Sequence, residues 1–143
     1  MTIFHTGKHR ASTDVNAVWL DLLRRPFGFR LFIEKLEIAY QFREGLRTRD
    51  WPKVQQSISD YAEIRTELCP AYLEGSREIK SLVDGHSGVC FPLGAGGGGG
   101  VLVFCSDPAD LDASRAALGG AGYREIPFTI RSRGHQWIHS FDD

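Results

Sequence analysis

Val89-Cys90-Phe91-Pro92-Leu93-Gly94-Ala95-Gly96-Gly97-Gly98-Gly99-Gly100-Val101-Leu102-Val103-Phe104-Cys105 sets a tract with six glycines in seven residues between two β-rich runs. Val89 to Phe91 and Val101 to Cys105 carry the β-branched and aromatic residues of strands, and the tract between them is too short and too tightly bracketed for a flexible linker. Gly94, Gly96 and Gly99 spell GxGxxG, yet a dinucleotide fingerprint has to open a helix, and here a strand follows. No Lys-Ser or Lys-Thr follows the glycines, which removes the P-loop reading. Two readings stand. Consecutive glycine amides can converge on a phosphate, because glycine reaches positive φ without a Cβ clash. Equally, the tract can be a permissive turn that lets two strands and a neighbouring loop pack closely.

Working outward, Thr2 to Thr6 reads as a strand stopped by Gly7. Ser12 or Thr13 opens a helix with Val15, Val18, Trp19 and Leu22 at helical spacing, ended by Pro26 and Gly28. A second helix fits Arg30 to Leu46, where Leu31, Glu34/Lys35, Ile38 and Phe42 keep a 3.6-residue rhythm. Asp50 caps a third, which carries Val54, Ile58, Tyr61, Ala62 and Leu68 along one side and is broken by Pro70. A short helix covers Ser76 to Asp84, and beyond the glycine hairpin a helix capped by Asp107 runs from Pro108 to Ala121. Tyr123 to Ile130 and His135 to Ser140 read as closing strands around a turn at Ser132-Arg133-Gly134. This order predicts one α+β domain over residues 1–143, an antiparallel sheet with helices packed on one face, close to the ferredoxin-like theme.

The composition is that of an ordinary globular chain, and the formal net charge of -1 offers no field to gather nucleic acid or an anionic membrane, so neither is expected as a partner. No apolar run approaches the roughly 20 residues of a membrane span, and the first residues lack the basic and apolar regions of a signal peptide, which predicts a cytoplasmic protein. Cys69, Cys90 and Cys105 are odd in number and lack CxxC spacing, so they read as buried thiols rather than as a disulfide framework or a zinc site. His135 and His139 would lie about 13 Å apart along a strand, too far to share an ion, and no metal site is expected. Gly85-His86-Ser87-Gly88 reads as a helix-stop loop, Asp110, Asp112, Asp142 and Asp143 as solvated charges, and Trp19, Trp51 and Trp137 as packing residues.

Pro92-Leu93-Gly94-Ala95-Gly96-Gly97-Gly98-Gly99 resembles the third, C-terminal motif of the GHMP kinase family, a strand, a Gly-Ala-Gly-Gly-Gly-Gly loop and another strand. Phe4-His5-Thr6-Gly7 with Arg10 and Ser12 is similar to the segment that opens the C-terminal half in the fucokinase and heptose 7-phosphate kinase branch. Asp50-Trp51 looks like that branch's helix start, and Gly122-Tyr123, Pro127-Phe128 and Gly134 follow in the family's order, so the resemblance covers nearly the whole chain.

The resemblance implies the C-terminal half of an ATP-dependent sugar kinase, phosphorylating a hydroxyl of a fucose-like or heptose phosphate substrate. The family's other half carries a Pro-x-x-x-Gly-Leu-x-Ser-Ser-Ala phosphate loop and the carboxylate that handles the sugar hydroxyl; no Gly-Leu-x-Ser-Ser occurs here. That implies an ATP-binding half missing from this chain and an isolated domain without phosphoryl transfer of its own, since such transfer rests on positioning and charge stabilisation around the phosphates. ATP and Mg2+ would belong to the complete enzyme, with neither held tightly by this chain alone. By the same resemblance Gly94, Ala95, Gly96, Gly97, Gly98 and Gly99 would buttress the phosphate loop and line the cleft, and Thr6, Gly7 and Arg10 would lie near the sugar. The expected partners are a sugar or sugar phosphate and an N-terminal kinase half, or self-association through the exposed cleft face, including the edge of the first strand. A non-catalytic phosphate or sugar-phosphate binding module, and a remnant without a ligand, are the alternatives.

Overall fold

The structure, a computed structural model, describes residues 1–8, 12–68, 76–94 and 98–130. The elements in order are β1 (Thr2–His5), α1 (Ser12–Leu23), α2 (Pro26–Thr48), α3 (Trp51–Leu68), α4 (Arg77–Asp84), β2 (Val89–Pro92), β3 (Gly100–Phe104), α5 (Pro108–Gly120) and β4 (Arg124–Glu125). The strands form an antiparallel sheet in the order β2-β3-β1-β4, the α+β arrangement expected from the sequence. Two helix starts are capped as their sequences require: Asp50 accepts from the Lys53 amide at 3.1 Å and Asp107 from the Ala109 amide at 2.7 Å. Among the described residues no helix is long and apolar enough to cross a membrane.

Several boundaries and positions differ from the sequence reading. Pro26 does not end a helix; it opens α2 at the first helical position, where its missing N–H costs nothing and its fixed φ suits the helix. Only Arg124–Glu125 of the expected Tyr123-to-Ile130 strand joins the sheet, followed by one further bond from the Ile126 amide to the Ile3 carbonyl. Pro127 has no amide with which to continue the ladder. The first strand is not an edge: β1 lies between β3 and β4, with Phe4 opposite both Val101 and Glu125, and the edges are β2 and β4. The expected strand His135 to Ser140, together with His135, His139, Trp137 and Cys69, lies outside the described residues.

Strand alternation divides the core. Phe4, Cys90, Val101 and Val103 point to the face covered by α4 and α5, where they pack with Ile79, Val83 and Leu118. Val89, Phe91 and Phe104 point the other way and meet Val54 and Ile58 of α3 and Phe42 of α2. The long α2–α3 hairpin thus adds a partial cover on the second face, over β2 and β3. Gly45 lets the two helices approach, since a Cβ there would stand 3.0 Å from Val54 Cγ2. Gln55 ties α3 to the loop before β2 and the loop after β3, donating to the Ser87 carbonyl at 2.8 Å and accepting from the Ser106 amide at 2.6 Å.

Cys90 and Cys105 are buried free thiols, as their apolar neighbours suggest. Burial pushes the Cys90 thiol up to about 12. The folded thiol therefore keeps its proton where the unfolded one loses it: the resulting stability is complete below the ordinary thiol pKa and fades as pH rises through 12. Iodoacetamide at pH 8.5 is expected to leave Cys90 unmodified in the native chain and to alkylate it in denaturant, read by peptide mass; native modification would refute this placement.

Candidate functional site: the glycine hairpin and its cationic support

At one end of the sheet the loop after β1 meets the glycine tract. The Thr6 amide donates to the Gly99 carbonyl at 2.8 Å, and the Gly99 amide donates to the Lys8 carbonyl at 2.9 Å. Thr6 is 7 % exposed, and its hydroxyl accepts from the Lys8 amide at 3.2 Å. The Gly7 amide donates to His5 Nδ1 at 2.9 Å, which tightens the same turn. Gly7, Gly94 and Gly99 have φ of +73°, +64° and +77°, and a Cβ on any of them would meet nothing within 4 Å. Backbone conformation rather than crowding requires glycine there, and each α-carbon faces open space.

Thr6, Gly7 and Gly99 are therefore brought together, with Gly98 next to them in the chain; Arg10, Ala95, Gly96 and Gly97 lie outside the described residues. The Leu93 amide donates to the Gly100 carbonyl at 2.8 Å and closes the neck of the hairpin. The amides of Gly7 and Gly99 are engaged within the fold, so the described ends of the tract act as a brace.

The support behind the hairpin was not singled out from the sequence. Arg65 of α3, 5 % exposed, donates from Nη2 to the Gly94 carbonyl at 3.0 Å. Its guanidinium carbon stands 4.3 Å from the centre of the Trp19 ring and 5.7 Å from that of Phe91. Lys35 of α2 places its ammonium 4.7 Å from the centre of the same Trp19 ring, 4.6 Å from that of Phe32 and 5.2 Å from that of Tyr61. Two cations thus share one indole. Burial first, and then the Arg65 charge, hold the Lys35 ammonium below the ordinary lysine range. The sequence did hold a signal: Lys35 occupies an inward position in the apolar rhythm of α2, where a charge calls for a partner.

Chemically the junction is a positioning device. It offers backbone groups, the Thr6 hydroxyl and two nearby cations. Among the described residues no group of three or more His, Cys, Asp or Glu could hold a metal ion. The described donor set suits an anion and does not fit a divalent cation.

Two solved structures share this architecture. A Lin0012 protein from Listeria innocua superposes with a TM-score of 0.73 at 17% identity, over 90% of this chain and 38% of that one. The Streptococcus pneumoniae phosphomevalonate kinase gives a TM-score of 0.74 at 15% identity, over 88% of this chain and 38% of the kinase. The fold is that of a GHMP kinase C-terminal domain. At these identities the likeness establishes the fold alone, and this chain spans 38% of the length of each of these neighbours. No protein-family model and no curated protein matches the sequence.

Proposed function

We propose that this chain is the C-terminal part of an ATP-dependent GHMP-type kinase that phosphorylates a hydroxyl of a fucose-like sugar or heptose phosphate, in concert with a second part bearing the phosphate loop. The reading is carried by the junction of Thr6-Gly7 with the glycine hairpin, hydrogen-bonded in both directions through Gly99, on a GHMP kinase C-terminal fold. On this reading the hairpin buttresses the phosphate loop of the other part, and Thr6, Gly7 and Arg10 face the acceptor. The sugar class rests on the Thr6-Gly7-x-x-Arg10 resemblance, since the named kinase neighbour is a phosphomevalonate kinase. On the same resemblance, ATP and Mg2+ are held mainly by the other part.

Phe29, Ile33, Leu36 and Tyr40 form an exposed apolar stripe on α2. An unpartnered stripe of this kind supports a covering partner, on this reading the kinase's other part. A non-catalytic phosphate or sugar-phosphate binding module is the second reading, supported by the positive-φ glycines Gly94 and Gly99, which open onto free space at the hairpin.

The test is reconstitution. The chain alone is expected to release no ADP with any sugar or sugar phosphate. Mixing it with a chain carrying Pro-x-x-x-Gly-Leu-x-Ser-Ser-Ala is expected to give sugar-dependent ADP release. Binding of a sugar phosphate without rescue would favour the binding module, and neither binding nor rescue would sink both readings.

A further inference from the structure

On α2 a second apolar pattern lies on the side turned away from the core. Phe29, Ile33, Leu36 and Tyr40 are all exposed, Leu36 by 58 % and Tyr40 by 68 %. Their spacing of four, three and four residues keeps them within about 60° of one another around the helix. Leu31, Ile38 and Phe42 lie on the opposite side and pack against α3 and the sheet. The helix therefore carries two apolar faces, of which the core covers one. A four-three-four spacing is the seam of a two-helix coiled coil, with Ile33 and Tyr40 at one core position of the repeat and Phe29 and Leu36 at the other. Arg43 takes the next core position and ends the stripe, so the seam runs about 16 Å along the axis.

The flanks of the stripe decide what fits it. Arg30 and Glu37, both exposed, follow one side, and Phe32 and Ala39 follow the other. Arg30 Nε stands 3.4 Å from Glu34 Oε1 in an exposed pair, which holds it weakly, and Glu37 has no ion-pair partner among the described residues. A second α2 laid antiparallel, about a two-fold axis between Ile33 and Leu36, sets Phe29 against Tyr40 of the second copy and Ile33 against its Leu36. The same axis brings Arg30 of each copy beside Glu37 of the other. Parallel pairing instead sets Arg30 and Glu37 against Phe32 and Ala39, with no charge paired. The stripe is thus complementary to itself, in shape and in charge, in one orientation.

We propose that the chain on its own forms a two-fold dimer through antiparallel packing of α2 on α2, with Phe29, Ile33, Leu36 and Tyr40 as its seam and Arg30 and Glu37 pairing across it. This inference does not rest on the kinase reading, because it is measured on the chain alone without a second part or turnover. Where the kinase's other part covers the same stripe, it has to displace the second copy, so the two assemblies exclude one another.

Sedimentation velocity from about 5 µM to about 500 µM is expected to show a monomer passing into a dimer with Kd of about 10–100 µM, as a small interface allows. Leu36→Glu, at an exposed position, is expected to weaken the dimer at least about tenfold and to leave the thermal midpoint of the dilute monomer unchanged. Glu37→Arg sets like charges together and is expected to weaken it several-fold, and adding Arg30→Glu to that variant is expected to restore it. Orientation is read by disulfide formation on a Cys69→Ser background. Phe29→Cys mixed with Tyr40→Cys is expected to cross-link, and either variant alone is expected not to, because an antiparallel seam holds two copies of the same position about 16 Å apart along the axis. A chain that stays monomeric throughout, a dimer that Leu36→Glu leaves intact, failure of the charge exchange to restore it, or self-cross-linking of either cysteine variant would overturn the proposal.

Discussion

Phe4→Ala is expected to lower unfolding stability by about 3–5 kcal/mol, a large share of the 5–15 kcal/mol a domain usually holds. Phe4 is 2 % exposed and packs in the core with Ile79, Val83, Val101, Val103 and Leu118. The cost depends on whether the surroundings can close over the lost ring. Here they are held apart, because β1 is bonded to β3 on one side and to β4 on the other, and neither strand can move in without breaking its ladder. Urea unfolding should show a lower midpoint with an unchanged slope, and a loss below about 1 kcal/mol would mean that the core collapses freely at this point. Because β1 delivers Thr6 and Gly7 to the glycine hairpin, the same substitution should loosen that junction.

Gly28→Ala is expected to destabilise the chain by about 2 kcal/mol net, although helix propensity by itself favours alanine by about 1 kcal/mol. Gly28 is buried in the first turn of α2. A Cβ there would lie 2.1 Å from the Leu22 carbonyl oxygen and 2.6 Å from its carbon. Those atoms are backbone and cannot rotate aside, so α1 must shift away from α2. Trp19 rides on α1 and stacks edge-on against Phe32 of α2 at 6.2 Å, so its fluorescence should move to the red in the folded variant. A variant as stable as the parent, with unmoved emission, would show that α1 repositions without loss.

What could be read from the sequence followed local chemistry. Asp50 and Asp107 announce their helices by capping, and the flanks of the glycine tract announce a hairpin by alternation, because each signal sits within a few residues of its effect. Pro26 misled because a proline that ends one helix and a proline that starts the next look alike without the intervening turn, here Arg24 and Arg25. The place of β1 inside the sheet and the second-face position of the α2–α3 hairpin depend on distant pairing, which no local pattern encodes. The candidate site divides the same way. Its glycines are visible as composition, and their union with Thr6 follows from the register of β1 on β3. The Lys35 and Arg65 cluster draws on α1, α2, α3 and β2, four segments whose meeting is a property of the tertiary packing.

The central strand pairing also sets a kinetic order. Thr2 pairs with Val103 and His5 with Gly100, so partners in the middle of the sheet are separated by about a hundred residues of chain. Closing so long a loop is entropically costly before any contact rewards it, whereas the α2–α3 hairpin closes through Arg49 and Asp50 alone. Helices are therefore expected to gather early, with β1 waiting, its apolar side chains uncovered, until β3 is available. The glycine junction at the end of those two strands then assembles among the last parts of the molecule, so that a chain able to present Thr6 beside Gly99 is one whose sheet is already complete.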